Sequence, residues 1–166
     1  MSSGRFANLA SAGGALAEVM GRRRDELSSN GPPLVLAVIP NGVPVALPVA
    51  AALDACAKGL NVTRGDEGVE IVSVPEVAGR VVIVIDDGVE TGTVARAVVG
   101  PIRAAGAERV ILAVPVCSRE VLAQLGLMYD EVIAVTKPLA RRALAWHFED
   151  FDTIDDETAQ ALLRSP

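Results

Sequence analysis

Two adjacent acids, Asp86 and Asp87, directly follow five apolar residues in the stretch VVIVIDDGVETGTVARAVV, Val81 to Val99. Neighbouring carboxylates repel each other, so the pair costs stability unless something binds there. The residues that follow indicate what. Gly88, Val89, Glu90, Thr91, Gly92 and Thr93 connect an expected strand to an expected helix. The backbone N–H groups of about Glu90 to Val94 therefore lack intrahelical acceptors. With the helix dipole they form a seat for a phosphate. Gly92 lets the backbone approach closely, and Thr91 and Thr93 add hydroxyl donors. The carboxylates of Asp86 and Asp87 only accept hydrogen bonds, and the vicinal hydroxyls of a ribose satisfy them, directly or through a hydrated Mg²⁺. A phosphate seat beside a diol clamp describes a ribose 5-phosphate. The competing reading is that Asp86 merely caps and Asp87 merely faces water. A G-x-G-x-x-G dinucleotide fingerprint is absent, which weakens a Rossmann assignment.

The elements that must position this motif alternate between helix and buried strand. From Asn8 to Leu27, Leu9, Ala12, Leu16, Val19 and Met20 recur at helical spacing until SSNGPP breaks the pattern. Leu34 to Ile39 is short and continuously apolar, as a strand covered on both faces would be, and it ends at the turn PNG. Val43 to Lys58 is Ala-rich and reads as a second helix closed by Gly59, despite Pro44 and Pro48. Asn61 to Gly79 alternates weakly around RGDEG, the expected turn of a short hairpin. Val81 to Ile85 is a buried strand, Thr91 to Ala105 a helix disturbed late by Gly100-Pro101, and Arg109 to Val116 a further strand. Ser118 is placed to cap a helix over Arg119 to Leu127, Glu131 to Thr136 is the last core strand, and Asp155 or Asp156 can cap Glu157 to Leu163. This order predicts an α/β fold, an open and mostly parallel sheet with helices on both faces. In such sheets ligands bind beyond the carboxyl ends of the strands, which is where the paired acids fall. The 166 residues suit a single domain, 1–166, with one substantial core.

Composition narrows the function classes. A net charge of −6 argues against broad electrostatic attraction to nucleic acid, and the run Arg22, Arg23, Arg24 is answered at once by Asp25 and Glu26. Cys56 and Cys117 lie in apolar sequence and are expected to be buried, reduced thiols, with no metal-ligand spacing to His147. No apolar stretch approaches the ~20 residues of a membrane span, and the N-terminus lacks a signal pattern. The expectation is a cytoplasmic protein with no membrane and no nucleic-acid partner.

Together these residues carry a resemblance. VVIVIDDGVETGT resembles the phosphoribosyl pyrophosphate (PRPP) motif of the type I phosphoribosyltransferases: an apolar strand, two acids and a Thr-Gly phosphate loop. RFANLASAGGALAEVM, VPVALPVAAAL and AWHFEDFDTIDDETAQALL are similar to the opening helix, the helix after the pyrophosphate loop and the closing segment of a bacterial group of predicted phosphoribosyltransferases. The resemblance implies a five-stranded, mostly parallel sheet flanked by helices beneath a reduced hood. It also implies a Mg²⁺-dependent transfer of ribose 5-phosphate between pyrophosphate and a nucleobase, with PRPP or a nucleoside monophosphate as ligand and a homodimer as assembly.

Residue by residue, the resemblance assigns Asp86 and Asp87 to the ribose hydroxyls, with Mg²⁺ held there directly or through water. It assigns Gly88 to Thr93 to the 5-phosphate, and Asp87 and Glu90 to catalysis. Glu90 stands where purine-specific members carry an acid that exchanges a proton with the base; equally, it is a first-turn Glu favoured by the helix dipole. Lys137 is placed like hood residues that meet the base, or is equally a surface lysine, and Trp146 and Phe148 are placed to stack on a base or, alternatively, to close a core. The pyrophosphate loop departs from its usual Pro-Arg-Gly-Gly: here it is IPNGVPV, one residue shorter, with Asn41 and Gly42 and no cation. Val94 stands where a second Thr or Ser is common, and the lid between Cys56 and Gly79 is shortened to Arg64 and a GDEG turn. Three functions follow: an enzyme, a protein that binds PRPP or a nucleotide and has lost turnover, or a fold kept only as an interaction scaffold.

Overall fold

The computed structural model describes residues 4–165. Five strands form one parallel sheet in the order β2-β1-β5-β6-β7: β1 (Leu34–Val38), β2 (Cys56–Leu60), β5 (Val81–Ile85), β6 (Arg109–Val116) and β7 (Glu131–Thr136). A separate antiparallel hairpin, β3 (Val62–Gly65) and β4 (Gly68–Ile71), turns at the RGDEG segment as its composition predicts. The helices are α1 (Leu9–Gly21), α2 (Arg24–Leu27), α3 (Gly42–Leu53), α4 (Thr93–Ala104), α5 (Arg119–Leu125) and α6 (Asp156–Arg164).

Side chains alternate across each strand and thereby build two cores. Val35, Ala37, Ile83, Ile85, Ile111 and Ala113 meet α1 and α3 on one face. Leu34, Leu36, Val82, Val84, Val110 and Leu112 meet α4 and α5 on the other. Every residue of β1 is buried, which is why this strand reads as an uninterrupted apolar run. Burial of each such side chain contributes about 1.5–3 kcal/mol.

Three expectations are corrected. The first helix stops at Gly21 and resumes only as the short α2, because the chain bends at Arg22-Arg23. The second helix ends at Leu53 and not at Lys58: Asp54 adopts a left-handed φ of 52° and its N–H caps the Ala50 and Ala51 carbonyls. Cys56–Leu60 then becomes the edge strand β2, paired with β1. Gly59 is therefore a strand residue; a Cβ there would lie 2.8 Å from Ile39 Cδ1 and 3.0 Å from Leu163 Cδ1 of α6. On this half-covered edge Cys56 is exposed, against expectation, while Cys117 is buried as expected. Burial pushes the Cys117 thiol up to about 11.

The remaining boundaries follow their capping residues. Helix α4 begins at Thr93, two residues later than predicted, and runs through Pro101. Ser118 caps α5 and Asp155 caps α6, each accepting the N–H three residues on.

Candidate active site

Strand β5 ends at Ile85 and delivers Asp86 and Asp87 to the carboxyl edge of the sheet, at its centre. The Asp86 carboxylate turns back to accept the Asp87 N–H at 2.8 Å. Asp86 is partly buried and Asp87 is only 8 % exposed. Burial, followed by the charge of its neighbour, holds the Asp86 carboxyl well above the ordinary carboxylate range. Burial also raises Asp87, and the charge of Arg64 opposes the shift at both acids. The like-charge repulsion inferred from the sequence is therefore present at Asp86, and a nearby cation or hydroxyl donor would relieve it.

The loop after the acids is shaped by close backbone contacts. Gly88 has φ +150°, and a Cβ on it would come within 2.7 Å of Leu144 Cδ2 and 2.8 Å of Val116 Cγ1. The Val89 N–H then bonds the Val116 carbonyl at 2.9 Å, tying the loop to the end of β6. Gly92, at φ 85°, is the N-cap of α4 and supplies no side-chain cap. The first-turn N–H groups of α4 consequently face the loop without helical acceptors. The hydroxyls of Thr91 and Thr93 lie 3.0 Å apart beside them. Such a set of donors at a helix N-terminus can hold an anion.

These residues line an open cleft of about 210 Å³. Asp86, Asp87, Gly88, Val89, Glu90, Thr91, Gly92, Thr93 and Asn41 all lie on its wall. Gly42 does not line it: the first turn of α3 packs so tightly on the end of β5 that a Cβ at Gly42 would sit 2.6 Å from the Ile85 carbonyl oxygen. Asn41 is anchored by its Oδ1, which accepts the Ile154 N–H at 2.9 Å. Two wall residues from distant segments fall outside the predicted site set. Leu144 comes from the closing segment, and Arg64 reaches in from the β3–β4 hairpin. Nothing in local pattern marks Leu144; Arg64 is visible in the sequence only as the cation left in a shortened lid.

The base-facing candidates separate. Phe148 is 1 % exposed and packs on Phe6 and Phe151 with ring centroids 5.7 and 4.9 Å away, so it is a core residue and has no face for a base. Trp146 is exposed, but the Arg142 guanidinium already lies 4.5 Å from its ring centroid. Lys137 is exposed just past β7. Neither Lys137 nor Trp146 is on the cleft wall. His147 is buried against Trp146, with its pKa lowered first by burial and then by the charges of Arg142 and Arg5.

Among the described residues no three His, Cys, Asp or Glu side chains converge as a metal cage. Mg²⁺ does not require one, since it binds through one or two carboxylates and keeps water or substrate oxygens in its remaining positions. The crowded Asp86–Asp87 oxygens fit that donor set. Among the described residues no helix is long and apolar enough to cross a membrane.

Comparison with known proteins agrees with this geometry. The family described as Phosphoribosyl transferase domain matches residues 7–135. A Mycobacterium tuberculosis protein provisionally named a phosphoribosyl transferase is 35% identical over 88 residues, or 52% of this chain. The match takes in only 20% of the length of that relative. Among solved structures, TT1426 from Thermus thermophilus superposes with a TM-score of 0.79 at 26% identity, covering 96% of this chain and 97% of the other. The purine phosphoribosyltransferase from Pyrococcus horikoshii shares the fold, with a TM-score of 0.56 at 19% identity over 87% of this chain and 90% of its own. With a matching family pattern over residues 7–135, a five-stranded parallel sheet, and an acid pair and Thr-Gly loop at the sheet's carboxyl edge, the chain belongs to the phosphoribosyltransferase family.

Proposed function

We propose that the protein transfers ribose 5-phosphate between PRPP and a nucleobase. The observation that carries this reading is the convergence of two crowded carboxylates and a helix N-terminus, capped by no side chain of Gly92 and met by the Thr91 hydroxyl at the Thr93 N–H, on one wall of a single cleft. Asp86 and Asp87 accept hydrogen bonds from the ribose hydroxyls and so fix the sugar against the sheet edge. The amides at the start of α4, with Thr91 and Thr93, hold the 5-phosphate. With both ends of the sugar phosphate held, the anomeric carbon has a defined place in the cleft, which is the entropic part of catalysis. Glu90, exposed on the same wall, is the residue positioned to exchange a proton with a base nitrogen. Mg²⁺ held at Asp86 and Asp87 would supply positive charge to the departing pyrophosphate. The same reading carries a cytoplasmic location and a homodimer, the latter tested by sedimentation.

A second reading is supported by the altered pyrophosphate loop. Asn41 spends its carbonyl on Ile154 and carries no charge, so the departing diphosphate loses a bidentate partner at that position. On this reading the protein binds PRPP or a nucleotide and turns over little. Calorimetric titration with PRPP and nucleoside monophosphates, with and without Mg²⁺, paired with a pyrophosphate-release assay across a panel of bases, separates the two. Release with any base establishes the transferase; tight binding with no release establishes the binding protein.

A further inference from the structure

We propose that Arg5 is a positioning residue for the cleft: it clamps the short 3₁₀ helix Leu144–His147 and so sets Leu144 on the loop that follows the acid pair. This inference rests on the phosphoribosyl reading above and gives part of that site's shape to a side chain that does not line the cleft.

The closing segment touches the site at two points. Leu144 is on the cleft wall and lies so close over Gly88 that a Cβ on that glycine would meet its Cδ2 at 2.7 Å. Further along, the Ile154 N–H donates to Asn41 Oδ1, on the same wall. The turn that carries Leu144 is short, and its own N-cap residue, Ala143, makes no side-chain hydrogen bond. Its placement is set from the other end of the chain.

Arg5 Nε donates to the Trp146 carbonyl, and Arg5 Nη2 donates to the Phe148 carbonyl at 2.6 Å. Between them the Phe6 N–H donates to the His147 carbonyl at 2.8 Å, and the Glu149 N–H returns to the Phe6 carbonyl at 2.7 Å. Three successive carbonyls at the end of the turn are thus taken by residues 5 and 6. The last carbonyls of a helix lack internal donors, and a guanidinium suits them because its planar fork keeps a fixed geometry between two acceptors. Arg5 also lies 5.8 Å from the centroid of the Trp146 ring, so the indole is held with the turn. Phe148, packed on Phe6 and Phe151, anchors the segment to the core independently of this clamp. Without the Arg5 side chain the anchor stays, while the turn above it is free to roll and Leu144 to leave Gly88.

Trp146 is the one tryptophan of the chain, so its fluorescence reports on the turn directly. Wild type, Arg5→Ala, Arg5→Lys and Arg142→Ala are compared by emission spectrum and by titration with PRPP in Mg²⁺, well below the melting temperature of each. Arg142→Ala is the control, because it removes the guanidinium 4.5 Å from the same ring and leaves the Arg5 clamp in place. Arg5→Ala is expected to shift the Trp146 emission and to weaken PRPP roughly tenfold, as a displaced wall costs a pre-formed site. Arg5→Lys should fall between Arg5→Ala and wild type, since one ammonium does not bridge both carbonyls. Arg142→Ala should shift the emission yet keep PRPP affinity within about twofold, as a surface substitution does. Wild-type affinity in Arg5→Ala, or an equal loss in Arg142→Ala, overturns the positioning role and leaves the phosphoribosyl reading in place. Should Arg5→Ala not fold, Arg5→Lys carries the test, and wild-type affinity in that variant overturns the role. If the wild type does not bind PRPP, the phosphoribosyl reading fails and the positioning role falls with it.

Discussion

Replacing Asp87 by Asn is expected to make the ligand-free protein more stable and the site useless. Asp87 is 8 % exposed, and Asp86 stands next to it with its carboxylate committed to the Asp87 N–H. Its folded-state pKa is raised above the ordinary value of 3.8 by burial. A raised carboxyl pKa means that the folded state holds the proton more tightly than the unfolded chain does, so stability is lost as pH rises through the raised value. At neutral pH the wild type carries that penalty, and Asn, isosteric and uncharged, removes it. Removing one of two adjacent buried charges is worth about 1–3 kcal/mol, and in a chain of this size each 1 kcal/mol moves Tm by roughly 2–4 °C. The expected result is a Tm several degrees above wild type at pH 7, with the difference shrinking toward zero as pH falls below about 4. In the same variant, loss of a charged acceptor for ribose or Mg²⁺ should weaken PRPP binding at least about tenfold. The assay is a pair of thermal melts across pH with calorimetric titration at pH 7. An Asp87→Asn protein less stable than wild type at every pH would refute the reasoning, because it would make the acid pair a structural element and not a ligand site.

Three further outcomes follow from particular contacts. Phe148→Ala should cost about 3–5 kcal/mol, as for a large core side chain, whereas Trp146→Ala should change stability by less than about 1 kcal/mol; equal effects in denaturant titrations would contradict their different burial. Gly42→Ala places a Cβ 2.6 Å from the Ile85 carbonyl oxygen and should destabilise by about 1–3 kcal/mol while shifting Asp86, whose Cα would lie 3.2 Å from it, so that ligand affinity falls along with Tm. In the native protein a thiol reagent at about pH 8 should modify Cys56 and spare Cys117, whose thiol is raised to about 11 by burial; rapid reaction of both would mean that the end of β6 leaves Cys117 accessible.

The acid pair and the loop after it were legible from sequence because their geometry is local. Asp86 to Thr93 are contiguous, and a strand, a Gly-bearing loop and a helix start in that order generate their own geometry. The core strands were legible for a related reason: burial on both faces leaves no polar position, as in β1. What escaped was set by partners distant in sequence. Cys56–Leu60 has weak strand character and follows an Ala-rich helix; it becomes a strand because β1 offers an open edge and Asp54 takes a left-handed turn to reach it. Phe148 has the same local signature as a stacking aromatic, and its contact with Phe6, at the other end of the chain, makes it core.

By itself, the order of residues determined that an acid pair and a helix N-terminus would stand together at a strand end, since those features need only backbone directionality and hydrogen-bond chemistry over a dozen positions. Tertiary structure decided how the rest of the cleft is completed. It brought Leu144 against Gly88, tied Asn41 to Ile154, and set Arg64 on the same cleft wall as Thr91 and Thr93. Those pairings join residues tens of positions apart, and packing of the two cores, which no local pattern encodes, is what brings them within reach of one another.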